Sequence, residues 1–384
     1  MRSEDPFIGR DILDGQFRLL EKIGSGGMGA VYKALQPAMN RAVAVKILHP
    51  KLANRSDLVS RFRREARAMS QLTHPNTVKV FLFGELDDGS LYIVMEFLEG
   101  RNLNQVLRAE GPLKVERALP ILVQAAGALD EAHRNGIIHR DLKPENIFVC
   151  QQGGLRDYAK VLDFGLAKVT ERQMQPGSVI LTQEGMVFGT PEFMSPEQAQ
   201  GKTLTPASDI YSLATILYEI LTGKLPFDAK NAVDYLNLHV SGTPIPLNQR
   251  IAGRTFPTLL EAIVDRALAK RAEERFQTAA DFGMALQAVL DGQTSLPANL
   301  GGPDPSDQAT QKLGSAKEIR EELGKAPVAS IPAARALPAA DIPRPIVGGR
   351  RAVGSNVGLL VLVALAFLGL GVALAVGVMK LVGR

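Results

Sequence analysis

The stretch His139-Arg140-Asp141-Leu142-Lys143-Pro144-Glu145-Asn146, with Asp163-Phe164-Gly165 following seventeen positions after Asn146, constrains this chain more than any other feature. It sets a candidate base (Asp141), a cation able to contact phosphate (Lys143) and two oxygen ligands for Mg²⁺ (Asn146 and Asp163) within 23 residues. Transfer of a phosphoryl group depends on positioning and charge neutralisation more than on covalent chemistry, and these residue types supply both.

The rest of the chain sets the boundaries. At 384 residues and 46% hydrophobic it can bury a sizeable core, in one large domain or two ordinary ones. The formal charge of +4 resides in the tail: from Gly292 onward there are ten Lys/Arg against six Asp/Glu, whereas the first 291 residues carry 34 of each sign. A nucleic-acid-binding domain would carry a basic patch or stripe; nothing argues for one, and no nucleic-acid partner is expected. Cys150 is the single cysteine, which excludes an intramolecular disulfide and reads as a small apolar residue on a buried strand. Met1 to Arg10 carries charges of both signs without an apolar run and does not read as a secretory signal.

Three regions separate by composition. Residues 17–291 have globular patterning behind an N-terminal extension, 1–16. Residues 292–356 turn to Pro, Ala, Gly and Ser and read as a disordered linker, in which Ala316 to Lys325 could form only a transient helix. Residues 357–379 form an uncharged run of 23, long enough to cross a hydrocarbon core of about 30 Å as a helix. Arg344, Arg350 and Arg351 outnumber Lys380 and Arg384 across that run, favouring a cytoplasmic N-terminal side and an extracytoplasmic tail, 380–384. Gly369, Ala373 and Gly377 make a small-residue stripe of the kind that packs helices in lipid.

Gly24-Ser25-Gly26-Gly27-Met28-Gly29 fits G-x-G-x-x-G, which also marks dinucleotide-binding folds when a strand precedes it and a helix follows. Here Phe17–Lys22 and Ala30–Leu35 both look extended, so the glycines belong to a β-hairpin. Without Cβ atoms such a loop can close over phosphates. Val43-Ala44-Val45-Lys46 follows as a strand ending in a lysine. Glu65 opens a helical run that it shares with Met69 at i,i+4, and Tyr92 to Leu98 reads as a strand entering a linker.

With these motifs in order, residues 17–290 resemble the eukaryotic-like (Hanks-type) serine/threonine protein kinases, most closely those of bacteria. The resemblance implies an α+β, bilobal protein kinase fold, with a small β-rich N-lobe and a large α-helical C-lobe, here followed by the disordered linker and one C-terminal transmembrane helix. It implies transfer of the ATP γ-phosphate to Ser/Thr hydroxyls of proteins with Mg²⁺ (or Mn²⁺), and autophosphorylation in the activation segment. Asp141 would accept or orient the hydroxyl proton, Lys143 would neutralise the γ-phosphate, and Asn146 and Asp163 would hold the metal. Lys46 would contact the α/β-phosphates and pair with Glu65. Ile23, Gly24, Ser25, Gly26, Gly27, Met28 and Gly29 would cover the nucleotide, between Val31 and Ala44 as roof and Phe148 as floor. The Glu96–Leu98 backbone would bond adenine, with Met95 at the back. The Lys-Pro-Glu after Asp141 favours Ser/Thr over Tyr.

By the same resemblance the activation segment spans Asp163 to Glu197, with Ser195 where the family commonly has Ala. Thr190 would bond Asp141 and Lys143, Glu197 would pair with Arg275 although the usual proline before that arginine is missing, and Asp209 would brace the catalytic loop. His139 and Phe164 would stack in the core between the lobes. Arg140 would receive a phosphate, on Thr182 first, with Thr170 and Ser178 as weaker acceptors. Glu184 either supplies a constant negative charge or is a solvated loop residue. The expected setting is a single pass through a membrane with the kinase domain cytoplasmic and membrane lipid as a partner of the apolar helix; a homodimer through the kinase domain or that helix is left open. A membrane-anchored pseudokinase or nucleotide-binding scaffold is the alternative. Pseudokinases usually lack the lysine, the catalytic Asp or the metal Asp, and here Lys46, Asp141, Asn146 and Asp163 are all present.

Overall fold

The structure is a computed structural model that describes residues 5–26, 29–48, 56–164, 190–297 and 300. Gly27, Met28, Thr170, Ser178, Thr182, Glu184 and the apolar segment 357–379 lie outside the described residues. Among the described residues no helix is long and apolar enough to cross a membrane.

Six strands form an antiparallel sheet in the order β1-β2-β3-β4-β6-β5: β1 (Asp11–Ile12), β2 (Phe17–Gly26), β3 (Gly29–Gln36), β4 (Arg41–Leu48), β5 (Val80–Glu85) and β6 (Leu91–Glu96). Strand β4 shows how sequence alternation builds it. Val43, Val45 and Ile47 join Tyr32, Ala34, Tyr92 and Val94 on the outer face, while Ala44 and Leu48 join the main core. The period of two puts Lys46 on the same side as Ala44, facing the interior.

Residues 5–16 fold onto the outer face rather than trailing ahead of the domain. Strand β1 pairs with β2 through Asp11↔Arg18 and Ile12↔Phe17, and Phe7 and Leu13 pack on the same apolar cluster. So short a segment has too few apolar residues to show a period, which is why its docking is not visible in the sequence. Helix α1 (Ser56–Ser70) closes the inner side of the lobe with Phe62, Ala66 and Met69, buried at i, i+4 and i+7.

The larger lobe contains α2 (Leu103–Glu110), α3 (Val115–Arg134), α4 (Pro196–Ala199), α5 (Pro206–Thr222), α6 (Ala232–Ser241), α7 (Leu247–Arg250), α8 (Thr258–Ala267) and α9 (Ala279–Leu290). Helix α5 is its axis: Ile210, Tyr211, Leu213, Ile216, Leu217 and Tyr218 are all buried, as a helix apolar on every side must be. It begins with Pro206 at its first position and ends at Gly223 in the left-handed region (φ 69°). A Cβ at Gly223 would also meet Pro112 Cγ at 2.9 Å.

A second sheet, β7 (Gly100–Asn102), β8 (Ile147–Gln152) and β9 (Leu155–Val161), lies in this lobe. Cys150 is buried on β8 opposite Gly100 and Tyr158, and burial pushes its thiol pKa up. The chain between α1 and β5 is tied to β9, since the Val161 amide donates to Asn76 O at 2.7 Å and the Val78 amide to Val161 O at 3.0 Å.

The expected two-part α+β architecture is the one observed. Leu296 and Leu300, past the change in composition at Gly292, also pack on the core, and Arg266 donates to the Leu300 carbonyl. Two docking leucines four apart are masked by Pro, Ser and Gly in the composition.

Candidate active site

The catalytic loop is held from beneath. Asp209, at the start of α5 and 2% exposed, accepts the His139 amide at 2.8 Å, the Arg140 amide at 3.0 Å and His133 Nε2–H at 2.7 Å. Burial acts to raise its carboxyl pKa, but the bond from His133, with His139 and the Arg140 amide, outweighs it and holds the group low. Arg140 sits at φ 71°, a left-handed conformation that costs a non-glycine residue on the order of 1–3 kcal/mol. The Asp209 brace on its amide and the Gln198 side chain on its carbonyl (2.6 Å) fix it there.

Above this brace the polar groups converge. Lys143 Nζ donates to Asp141 Oδ2 at 2.8 Å and reaches Thr190 Oγ1 at 3.5 Å. A single 3-10 turn, Pro144–Asn146, brings Asn146 back so that Nδ2 donates to the Asp141 carbonyl at 2.7 Å. The Leu162 amide bonds Asn146 O at 2.9 Å and His139 Nε2–H donates to Leu162 O at 2.7 Å, which places Asp163 beside the loop. Phe164 is buried against His139, ring centroids 5.0 Å apart.

Asp163 also adopts a left-handed conformation, φ 58°. Its Oδ2 accepts Lys46 Nζ at 2.8 Å. The resemblance implies Glu65 as the partner of Lys46; the contact seen is with Asp163, 117 positions away, while Glu65 stands half-buried on α1. Burial acts to raise the Asp163 carboxyl pKa, and Lys46 overcomes it so that the net direction is down. Asp163 Oδ1 and Asn146 Oδ1 take no hydrogen bond among the described residues. Two such hard oxygens suit a divalent cation that takes few protein ligands and fills its sphere with phosphate and water.

The glycine motif is a hairpin, with Gly24↔Val31, Ser25↔Ala30 and Gly26↔Gly29 in register. That geometry excludes the strand-to-helix turn of a dinucleotide fold. Gly29 must lack a side chain, because a Cβ there would collide with the Ile47 carbonyl oxygen on β4. Val31 lies opposite Lys46 and Ala44 lies opposite Met95, so the proposed roof, the lysine and the back of the pocket share adjoining strands. Met95 and Ile93 line a small cavity with Met69, Thr77, Val78 and Phe164. Phe148 sits on β8 between Asn102 and Lys160. Glu96 and Leu98 are both half-buried where β6 runs on toward β7, and Ile23 is exposed on β2.

Glu197 and Arg275 form a bidentate pair at 2.8 and 2.9 Å, with Arg275 1% exposed. The guanidinium also donates to the carbonyls of Ala269, Ala207 and Lys270, so its donors are satisfied without the proline that the resemblance would place before it. Ser195 caps α4: its Oγ accepts the Gln198 amide at 3.3 Å, and Gln198 Oε1 accepts the Ser195 amide at 3.1 Å. An alanine could not do this, and the Ser-x-x-Gln spacing was the signal for it.

Two features had no clear sequence signal. His133 is one of three donors to Asp209, 76 positions away. Glu219 on α5 is pushed up to about 7, first by burial and then by Glu145 and Glu192, whose charges gather beside the catalytic loop. Asn104 donates to Glu145 there at 2.6 Å.

Known proteins resemble this chain in sequence and in fold. The protein kinase domain family matches residues 17–287. The chain is 42% identical over 285 residues to the serine/threonine-protein kinase pkn3 of Myxococcus xanthus, covering 74% of this chain and 52% of that protein. It is 39% identical over 285 residues to the serine/threonine-protein kinase PrkC of Bacillus subtilis, covering 74% of this chain and 42% of that one. The chain therefore spans about half the length, or less, of the curated relatives it matches. The crystal structure of the PknI kinase domain of Mycobacterium tuberculosis resembles it with a TM-score of 0.56 at 26% identity, covering 74% of this chain and 98% of that one.

Proposed function

The chain belongs to the protein kinase family, among the bacterial Hanks-type serine/threonine kinases, and from that premise we propose that it transfers the γ-phosphate of ATP to serine and threonine hydroxyls of proteins. The observation that carries the reading is the net of Asp141, Lys143, Thr190 and Asn146 beside the Lys46–Asp163 pair. Asp141 orients the acceptor hydroxyl and takes its proton as the new P–O bond forms, while the bond from the γ-phosphorus to the β,γ-bridging oxygen breaks and ADP leaves with that electron pair. Lys143, bonded to Asp141 and within reach of Thr190, sits where a cation can balance charge on the transferring group. Lys46 holds the α/β-phosphates under the glycine hairpin, and Val31, Ala44 and Phe148 enclose the base. A divalent cation, Mg²⁺ by its preference for hard oxygens, would be held by Asn146 and Asp163 and would neutralise phosphate charge.

The test is incubation of purified protein with labelled ATP and Mg²⁺ on a generic basic protein substrate, beside Lys46→Met and Asp141→Asn. Label on wild type and its loss in both variants is expected. An unlabelled wild type that still binds nucleotide would favour a nucleotide-binding scaffold instead.

Regulation and setting extend the same proposal. Thr182 is the expected autophosphorylation site, with Thr170 and Ser178 secondary, and Arg140 the residue that would receive the phosphate. Thr182→Ala should slow phosphorylation of a model substrate, and an unchanged rate would remove the switch. Residues 357–379 would anchor the kinase on the cytoplasmic face of a membrane, their length and lack of charge being the support. Extraction of full-length protein by carbonate, without detergent, would count against the anchor.

A further inference from the structure

The glycine hairpin is secured at its base from outside the nucleotide cleft. Lys22 on β2 and Tyr32 on β3 are register partners, immediately before the register breaks between Lys22 and Gly24. One carboxylate spans the two strands at that point. Asp5 Oδ1 and Oδ2 each lie 3.1 Å from the Tyr32 hydroxyl, which donates to them, and Oδ2 lies 3.2 Å from Lys22 Nζ. The segment carrying Asp5 is itself tied down. The Phe7 amide donates to Asp5 Oδ1 at 3.1 Å, the Phe7 ring packs 5.7 Å from that of Tyr32, and Gly9 and Arg10 exchange backbone bonds with Leu19. Burial acts to raise the Asp5 carboxyl pKa, but the Phe7 amide, Lys22 and Tyr32 outweigh it, so the group is ionised at neutral pH.

We propose that Asp5 is a positioning residue for nucleotide binding, acting through Tyr32 and Lys22 to hold the two strands of the glycine hairpin at a fixed height above the cleft. The inference rests on the kinase reading above. The mechanical reason is the strand period. Tyr32 is 2% exposed on the outer face, and its neighbour Val31 points to the inner face in register with Lys46. Strand β3 is bonded to β4 along its length, whereas among the described residues β2 from Lys22 to Gly26 has only β3 beside it, and its glycines add no side chains to stiffen it. Whatever ties Lys22 to Tyr32 from outside therefore limits how far this end of β2 and its glycine amides can lift from a bound nucleotide. The Asp5–Lys22 pair alone, with the lysine side chain 39% exposed, would contribute little; the bridge to both strands is what matters.

The test uses the full chain and two readouts: KM for ATP with kcat at saturating acceptor, and the Kd of a fluorescent ATP analogue with Mg²⁺. Asp5→Ala, which removes the whole bridge, and Tyr32→Phe, which removes its Tyr32 half, should raise KM and Kd about 3- to 10-fold and leave kcat within about twofold. The double variant should match Asp5→Ala, because the Tyr32 bond is already lost with Asp5. Asp5→Glu should recover part of the affinity, and Arg18→Ala, which breaks the exposed Asp11–Arg18 pair between β1 and β2, should match wild type. Tyr32→Phe keeps the packed ring, so the question survives a poorly folding Asp5→Ala protein. Unchanged Kd and KM in a folded Tyr32→Phe or Asp5→Ala protein, or a fall in kcat alone, overturns the proposal. An active wild type with Asp5-independent affinity leaves the kinase reading standing and removes only this one. Asp5-dependent binding without phosphoryl transfer does the reverse.

Discussion

Two ion pairs in this chain each join a carboxylate to a buried cation, and they differ in how fully they are bonded and how much water reaches the carboxylate. Glu197 and Arg275 meet through two hydrogen bonds, with side-chain exposures of 10% and 0%, and three carbonyls take the remaining guanidinium donors. Lys46 and Asp163 meet through one hydrogen bond, and a third of the Asp163 side chain stays open to solvent. The first pair is a rivet: every donor is spoken for, and nothing can enter without breaking it. The second is a contact that a phosphate and a cation can rearrange, which a site that binds and releases ligands requires. Removing one partner of a buried, bonded pair leaves an uncompensated charge, and the cost falls as water reaches the group left behind.

The sharpest way to break the comparison is to cut both. Arg275→Ala should lower stability by about 3–5 kcal/mol in urea denaturation, enough to leave little folded protein. A loss below about 1 kcal/mol would mean that the Glu197 carboxylate finds water and that the rivet is misread. Lys46→Met should behave in the opposite way: at least about a 100-fold fall in phosphoryl transfer, of the size seen when a charge-stabilising donor is lost, with a smaller shift in denaturation than Arg275→Ala gives, because water reaches the Asp163 carboxylate that is left behind.

Smaller effects refine the boundary between the two regions. Ser195→Ala removes a cap and should cost about 1 kcal/mol, measured by the same denaturation. Because Gln198 also bonds the Arg140 carbonyl, kcat should fall with it. A stability loss with full activity would separate α4 from the catalytic loop. The smallest effect concerns Glu219, whose pKa is raised from 4.5 to about 7. The folded state binds this proton more tightly than the unfolded chain. Its stabilising contribution is therefore complete below pH 4.5 and is lost as the pH rises through 7. Glu219→Gln should flatten that decline in melting temperature between pH 5 and 8; parallel curves for the two proteins would assign the slope to other groups.

Much of the site could be read in the chain before folding. Asp141, Lys143, Asn146 and Asp163 lie close in sequence, and the loop that joins them needs only local turns. Strand β4 announced its two faces through alternation, and the hairpin around Gly24–Gly29 followed from extended flanks. The capping box at Ser195 was equally local, yet it stood in the sequence only as a departure from a family pattern. Contacts across long separations were not legible. Asp163 as the partner of Lys46, His133 as a donor to Asp209 and Asp5 as a bridge to Tyr32 depend on how elements pack, which residue spacing does not encode.

What the amino-acid sequence determined by itself was the inventory and its local geometry: which residues can donate, accept or carry charge, which strands alternate, where helices start and stop. Backbone sterics and side-chain period act over a few residues, so they are written locally. Tertiary structure decided which charges meet and how much water reaches them. A carboxylate and a cation become a rivet at Glu197–Arg275, where the guanidinium fork is buried and fully bonded, and an openable contact at Lys46–Asp163, where a third of the carboxylate side chain stays open to solvent.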